Sequence, residues 1–215
     1  MPRRARVLVQ GVPLHIIQRG HNRQRCFYQD SDYLVYLDWL RKYASGMGAS
    51  LHAYVLMTNH VHLLASFDDV KLVPDFMKAV GQKYAQYLNH RLNRCGALWQ
   101  GRYRSCLVPG EQYFMRCQRY VECNPLRAGM VRQAAEYIWS SYRANAGLRE
   151  DSLITPHALY LALGADASSR HENYRCLIAQ DIDPAHLDEI RRATNGNVPL
   201  GSLPKKSGRP KKQPS

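Results

Sequence analysis

Apolar and polar positions along the chain mark out a strand at residues 13–19, Pro-Leu-His-Ile-Ile-Gln-Arg, running into Gly20. A basic, polar stretch follows and reads as a loop. Ser31 can cap a helix to about residue 47, with apolar positions at Leu34, Leu37 and Leu40 and Gly46 and Gly48 stopping it. Residues 50–57 and 60–67 read as two strands joined by a Thr58-Asn59 hairpin turn. Pro74 suits the first turn of a helix that runs to about Arg94, with Phe76, Val80, Tyr84, Tyr87 and Leu88 on one side. A fourth strand is predicted from Arg104 to Val108. A helix from about Glu111 ends at Pro125, whose ring and missing N–H cannot continue it.

The order strand, helix, two-strand hairpin, helix, strand, helix predicts an α+β fold. It is the ferredoxin-like split β-α-β arrangement, an antiparallel sheet with helices on one face. This part occupies residues 1–130. Helical stretches near 155–163, 170–180 and 184–194 predict a helical C-terminal extension over 131–200, the last stretch opening with Asp183 as cap and Pro184 at its first position. Residues 201–215 are Gly, Pro, Ser and Lys/Arg without a core-forming pattern, which predicts a disordered basic tail.

Composition narrows the partners. Apolar residues make up 45% of the 215, enough for a real core, and 30 Lys+Arg against 17 Asp+Glu leave a net charge of +13. That balance points to a polyanion, either nucleic acid or an anionic membrane surface. No apolar run approaches a membrane span and the basic N-terminus opens no signal-peptide core, so a cytoplasmic, nucleoid-associated location is expected. The six cysteines contain no Cys-x-x-Cys pair, which argues against a zinc ribbon or a thioredoxin motif.

Four segments could carry chemistry. Strand alternation puts the imidazoles of His60 and His62 on one face, where they could chelate a divalent cation; they would equally suit a half-exposed strand with two polar residues. Tyr120 and Asn124 lie four apart at the end of a predicted helix, one turn from each other. A phenol there could be a nucleophile and an amide oxygen could complete a metal site, although Tyr113, Cys117, Tyr120 and Asn124 also form a plausible packing stripe. Trp99, Arg102, Tyr103 and Arg104 interleave aromatic and basic side chains, as does the loop holding Arg19, Asn22, Arg23 and Arg25; arginines bind phosphates and exposed aromatics stack on unpaired bases. In the tail, Lys205, Lys206, Arg209, Lys211 and Lys212 surround a Gly-Arg-Pro like the core of a minor-groove-binding hook.

Together these segments resemble one family. Thr58-Asn59-His60-Val61-His62-Leu63-Leu64 looks like the paired-histidine motif of the IS200/IS605-type single-tyrosine HUH transposases. The run from Arg119 to Val131, Arg-Tyr-Val-Glu-Cys-Asn-Pro-Leu-Arg-Ala-Gly-Met-Val, looks like the nucleophile helix of their REP-associated branch. Trp139-Ser140-Ser141-Tyr142-Arg143, the segment Gly196 to Ser202 and the Gly-Arg-Pro end are similar as well.

The resemblance implies that Tyr120 attacks a phosphate in single-stranded DNA to give a 5′-phosphotyrosine. His60, His62 and Asn124 would hold Mg²⁺ or Mn²⁺. Hairpins with a short single-stranded flank, as in repetitive extragenic palindromes, would be the substrate. It also favours action as a monomer, with a dimer as the alternative. An unperturbed imidazole predicts activity falling as pH drops through roughly 6.5. Two other readings remain: a DNA- or RNA-binding protein on the same fold that does not cut, and a phosphodiesterase that uses water.

Overall fold

A computed structural model of the chain describes residues 6–202. The elements are β1 (Leu14–Arg19), α1 (Asp30–Gly46), β2 (Ala49–Met57), β3 (His60–Phe67), α2 (Val73–Arg91), β4 (Arg104–Leu107), α3 (Glu111–Glu122) and the short α4 (Asn124–Arg127). After these come α5 (Tyr142–Asn145), α6 (Ala158–Leu161), α7 (Ala167–Ala179) and α8 (Pro184–Gly196). The predicted tail residues Lys205, Lys206, Arg209, Lys211 and Lys212 lie outside the described residues. Among the described residues no helix is long and apolar enough to cross a membrane.

The four strands form one antiparallel sheet in the order β2-β3-β1-β4. Met57 pairs with His60 across Thr58-Asn59, so the predicted hairpin stands. Pairing of Ile17 with His62 and of His15 with Leu64 fixes the register of β1 against β3. Because side chains alternate, that register decides which residues share a face of the sheet.

The α+β architecture is as read, but its helices are not confined to one face. Leu14, Ile16, Leu51, Leu56, Val61 and Leu63 point to α1 and α2, which bring Tyr36, Leu40, Phe76, Val80, Tyr84 and Leu88. The opposite face, with Ala53, Val55, Leu64 and Cys106, is covered by Phe114 and Cys117 of α3 and by Ile190 and Ala193 of α8. The sheet's second face is itself apolar in its middle, and an uncovered apolar face would be left in water.

Several boundaries shift for local reasons. In α1 the buried stripe is Tyr33, Tyr36, Leu40 and Ala44, while Leu34 is 54% exposed. The helix starts one residue before Ser31, because Gln29 and Asp32 form a reciprocal capping box. Asp32 is fully buried and also pairs with Arg91 of α2 at 2.8 Å, which ties the two helices together. The helix expected near 155–163 shrinks to the single turn of α6, and α7 begins at Ala167 behind an Asp166–Ser169 capping box. Asp183 caps α8 as predicted, accepting from the N–H of Ala185.

Residues beyond 130 pack on the sheet. Trp139 O accepts from Leu56 N, and Ser141 N donates to Tyr54 O. Behind α3, the fully buried Glu122 collects three donors: Ser141 Oγ at 2.5 Å and Asn145 Nδ2 at 2.7 Å on one oxygen, Tyr174 Oη at 2.6 Å on the other. Burial pushes its pKa up to about 7, against the pull of these donors. A folded value above the unfolded one means stability present in full below about pH 4.5 and lost as pH rises through 7. Glu122→Gln removes that titration. Its unfolding free energy relative to the unmodified protein should therefore rise between pH 4.5 and pH 8 by on the order of a few kcal/mol, read from urea titrations at both ends. A difference independent of pH would show that Glu122 is ionised throughout.

Candidate active site

The candidate chemistry gathers at the His60 end of β3. A cavity of about 280 Å³ is lined by Ile17, Arg19, His60, His62, Tyr120, Asn124, Arg191 and Asn195. The sheet, α3 and α8 each supply part of it. The sequence offered Tyr120 as nucleophile, His60, His62 and Asn124 as metal ligands and Arg19 as a DNA contact, and the structure brings these five together.

The imidazoles of His60 and His62 lie with ring centroids 4.9 Å apart, and the Tyr120 ring stands edge-on to His62 at 5.6 Å. In both histidines Nδ1 is engaged. His60 Nδ1 is 2.6 Å from Asn59 Oδ1, and His62 Nδ1 is 2.8 Å from Nε2 of His15 on β1. His15 Nδ1 in turn is 2.9 Å from Thr194 Oγ1 on α8. Burial, with Arg19 behind it, lowers the pKa of His60 to about 4; burial and the neighbouring His60 and His15 hold His62 well below 6.5. All are neutral at pH 7, the form that ligates a metal. The exposed imidazole behind the expected loss of activity through pH 6.5 is the wrong reference for these buried rings, and the loss is expected at lower pH.

Tyr120 and Asn124 do not share one continuous helix. α3 ends at Glu122, Cys123 caps it, and Pro125 sits in the first turn of α4. Asn124 bridges the break: its Nδ2 donates to Tyr120 O at 3.0 Å, satisfying a helix-end carbonyl. Its Oδ1 is left for another partner.

Tyr120 is 4% exposed. Burial raises its phenol pKa, opposed by Arg127 and Arg191. The Arg127 guanidinium carbon lies 4.5 Å above the ring centre, and its Nη2 donates to Tyr120 O at 2.9 Å.

Two neutral imidazoles and an amide oxygen fit Mg²⁺ or Mn²⁺ held mainly with help from water and phosphate, so the donor chemistry suits the expected ion. Among the described residues, no group of three or more His, Cys, Asp or Glu is placed to hold a metal ion. Any ion would thus depend on Asn124 and on ligands from outside the chain.

The DNA-contact expectations divide. Arg23 and Arg25 are exposed, with Asn22, on a loop that wraps the Thr58-Asn59 hairpin: Asn59 Nδ2 donates to Arg23 O, and Cys26 N to Thr58 O. Arg102 is exposed, and Arg104 donates to Asn195 Oδ1 at 2.5 Å beside the cavity. Trp99 and Tyr103 are corrections. Trp99 is 9% exposed with its Nε1 donating to Gly81 O, and Tyr103 is 7% exposed with Arg6 stacked over its ring. Both rings are committed to packing, which the alternation of aromatic and basic residues could not reveal.

His15, Arg127, Thr194, Arg191 and Asn195 went unread as site residues. His15 carried a faint signal, a polar residue in an apolar strand; the α8 residues carried none without the tertiary fold.

On the split β-α-β sheet, paired histidines of one strand face a tyrosine on the helix that covers it, an arrangement that fits the class of DNA transposases. Residues 8–124, more than half the chain, match the family model described as "Transposase IS200 like", and the protein belongs to that family, whose members bind and cut DNA. Among solved structures, a REP-associated tyrosine transposase bound to a REP hairpin superposes with a TM-score of 0.59 at 13% identity, over 73% of this chain and 99% of that one. At that identity it supports the fold. A Deinococcus radiodurans R1 protein assigned as a transposase is similar at 23% identity over 63% of this chain and 96% of its own, with a TM-score of 0.39, too low to bear on the fold. Curated proteins give no significant match.

Proposed function

We propose that the protein is a single-stranded DNA endonuclease and strand transferase that cuts through a covalent tyrosine link. The observation that carries this reading is the one cavity shared by Tyr120, His60, His62, Asn124 and Arg19. Tyr120 Oη attacks the scissile phosphorus; the O–P bond forms, the bond to the 3′-oxygen breaks, and that oxygen leaves as a hydroxyl with the proton the phenol gives up. The DNA 5′ end stays on Tyr120, and attack by a 3′-OH reverses the step without ATP. His60, His62 and Asn124 would hold Mg²⁺ or Mn²⁺, which would supply charge neutralisation at the phosphate. Arg19 faces the same space and can hold a phosphate oxygen. Arg127 and Arg191 favour the phenolate, both as it forms and as it departs.

The substrate proposed is a DNA hairpin with a single-stranded flank; the REP-associated structural neighbour is bound to a REP hairpin. The test is incubation with such hairpins in Mn²⁺, followed by a denaturing gel. A protein–DNA adduct resistant to denaturant, with a free 3′-OH on the released piece, is expected. Hairpin binding without adduct would favour a non-cleaving binder, and cleavage without adduct a water-using phosphodiesterase.

Affinity should come largely from phosphate contacts, as +13 net charge suggests. Binding should weaken steeply with salt as counterions are released. A chain ending at Leu200 should show a shallower salt slope and weaker binding, yet still cut at saturating DNA. Loss of cutting at saturation would place the removed residues in the catalytic apparatus.

A further inference from the structure

We infer that His15 and Thr194 form a positioning chain that decides which ring nitrogen of His62 is bare. The inference rests on the proposed metal role of His62. Thr194 Oγ1 lies 2.8 Å from Ile190 O, one turn earlier on α8. A carbonyl only accepts, so the threonine hydroxyl hydrogen points there. The hydroxyl oxygen must then accept from His15 Nδ1, 2.9 Å away. Cys106 Sγ, 3.2 Å from the same oxygen, adds a second donor.

A neutral imidazole has a single N–H. With its proton on Nδ1, His15 has only a lone pair on Nε2. The facing atom, His62 Nδ1 at 2.8 Å, therefore carries the proton, and Nε2 is the bare nitrogen of His62. The two rings are nearly parallel, 5° between planes. His15 and Thr194 are fully buried and His62 is 2% exposed, so solvent offers no alternative donor or acceptor along the chain.

His60 reaches the same state by a separate route. Asn59 Nδ2 donates to Arg23 O, which leaves Oδ1 to accept from His60 Nδ1. Each imidazole thus has Nδ1–H locked by a fixed acceptor and Nε2 free. Outer-shell partners of this sort fix the tautomer of ligating histidines. For His62 the far end of the lock is residue 194, outside residues 8–124 that match the family model. α8 therefore positions a group in the site as well as covering the sheet.

The test uses the full chain carrying Tyr120→Phe, bound to a flanked hairpin, so that no cleavage intervenes. Long-range ¹H–¹⁵N spectra of the metal-free protein read the His62 tautomer, and electron paramagnetic resonance of free Mn²⁺ reads metal binding in the complex. Thr194→Val keeps the shape and removes the acceptor, so the His15 proton is expected to shift to Nε2 and push the His62 proton onto its own Nε2. The Mn²⁺ concentration for half-saturation should rise roughly 10–100-fold, with hairpin affinity in EDTA unchanged. Thr194→Ser should restore both readings.

A bare Nδ1 on His62 in the parent protein, or equal Mn²⁺ affinity in a folded Thr194→Val, overturns the inference. Should Thr194→Val not fold, the parent tautomer and the Thr194→Ser protein decide it. Failure of the parent complex to bind Mn²⁺ would instead overturn the proposed metal role, while the tautomer still reports on the positioning chain.

Discussion

Tyr120→Phe is expected to lower strand cleavage by at least about 10⁴-fold, since removing a covalent nucleophile costs most of the catalysed rate. Hairpin affinity should stay within about twofold, because DNA affinity is expected to come largely from basic groups that the change leaves in place. Only the phenol oxygen is lost. The ring's contacts remain, with His15 at 5.4 Å and Arg127 at 4.5 Å, so the melting temperature should be nearly unchanged. The covalent adduct should vanish with cleavage, which separates loss of the nucleophile from loss of fold. Tyr113, the other tyrosine of the stripe on α3, is no substitute: it packs against Gly201 and does not line the cavity. Near-normal cutting by Tyr120→Phe would send the search to a water nucleophile.

His60→Ala should lower cutting by at least about 100-fold, with EDTA acting likewise on the unmodified protein. His60 is the cleaner probe of the pair. It is half-buried, whereas His62→Ala would also strand His15 Nε2 in the core. Both proteins should keep hairpin binding. Acid adds a second reading. The folded pKa values of His15, about 3, and His60, about 4, lie below the unfolded 6.5. Their contribution to stability is full above pH 6.5 and is lost as pH falls towards 4. Cleavage at saturating Mn²⁺ should therefore survive pH 6 and fail nearer the point where the fold itself weakens. Full activity in EDTA would take the metal out of the mechanism.

Much of this was legible because strands and caps write themselves locally. The His60-Val61-His62 alternation, the Thr58-Asn59 turn and Asp183-Pro184 each depend on neighbours within a few residues, and each appears where the pattern put it. The apolar positions of α1 were read only in part: Leu40 is buried and Leu37 packs on the core, but leucines outweigh tyrosines on a hydropathy pattern, and Tyr33 and Tyr36 bury their rings against Phe27. Helices on the second sheet face were missed for a similar reason, since α8 is weakly apolar and covers the sheet through Ile190 and Ala193, with Leu187 partly buried beside them. The link from His15 to Thr194 spans 179 residues, and no local rule carries that far.

That same span orders events during synthesis. The sheet, both histidines and Tyr120 are all present once residue 124 has been made, and chains fold from the N-terminus as they emerge. The cavity wall formed by Arg191 and Asn195, and the hydroxyl of Thr194, come from the ribosome much later. On the proposed mechanism a growing chain thus carries Tyr120 before it carries the α8 wall of the cavity, and the site is complete only once α8 has been made.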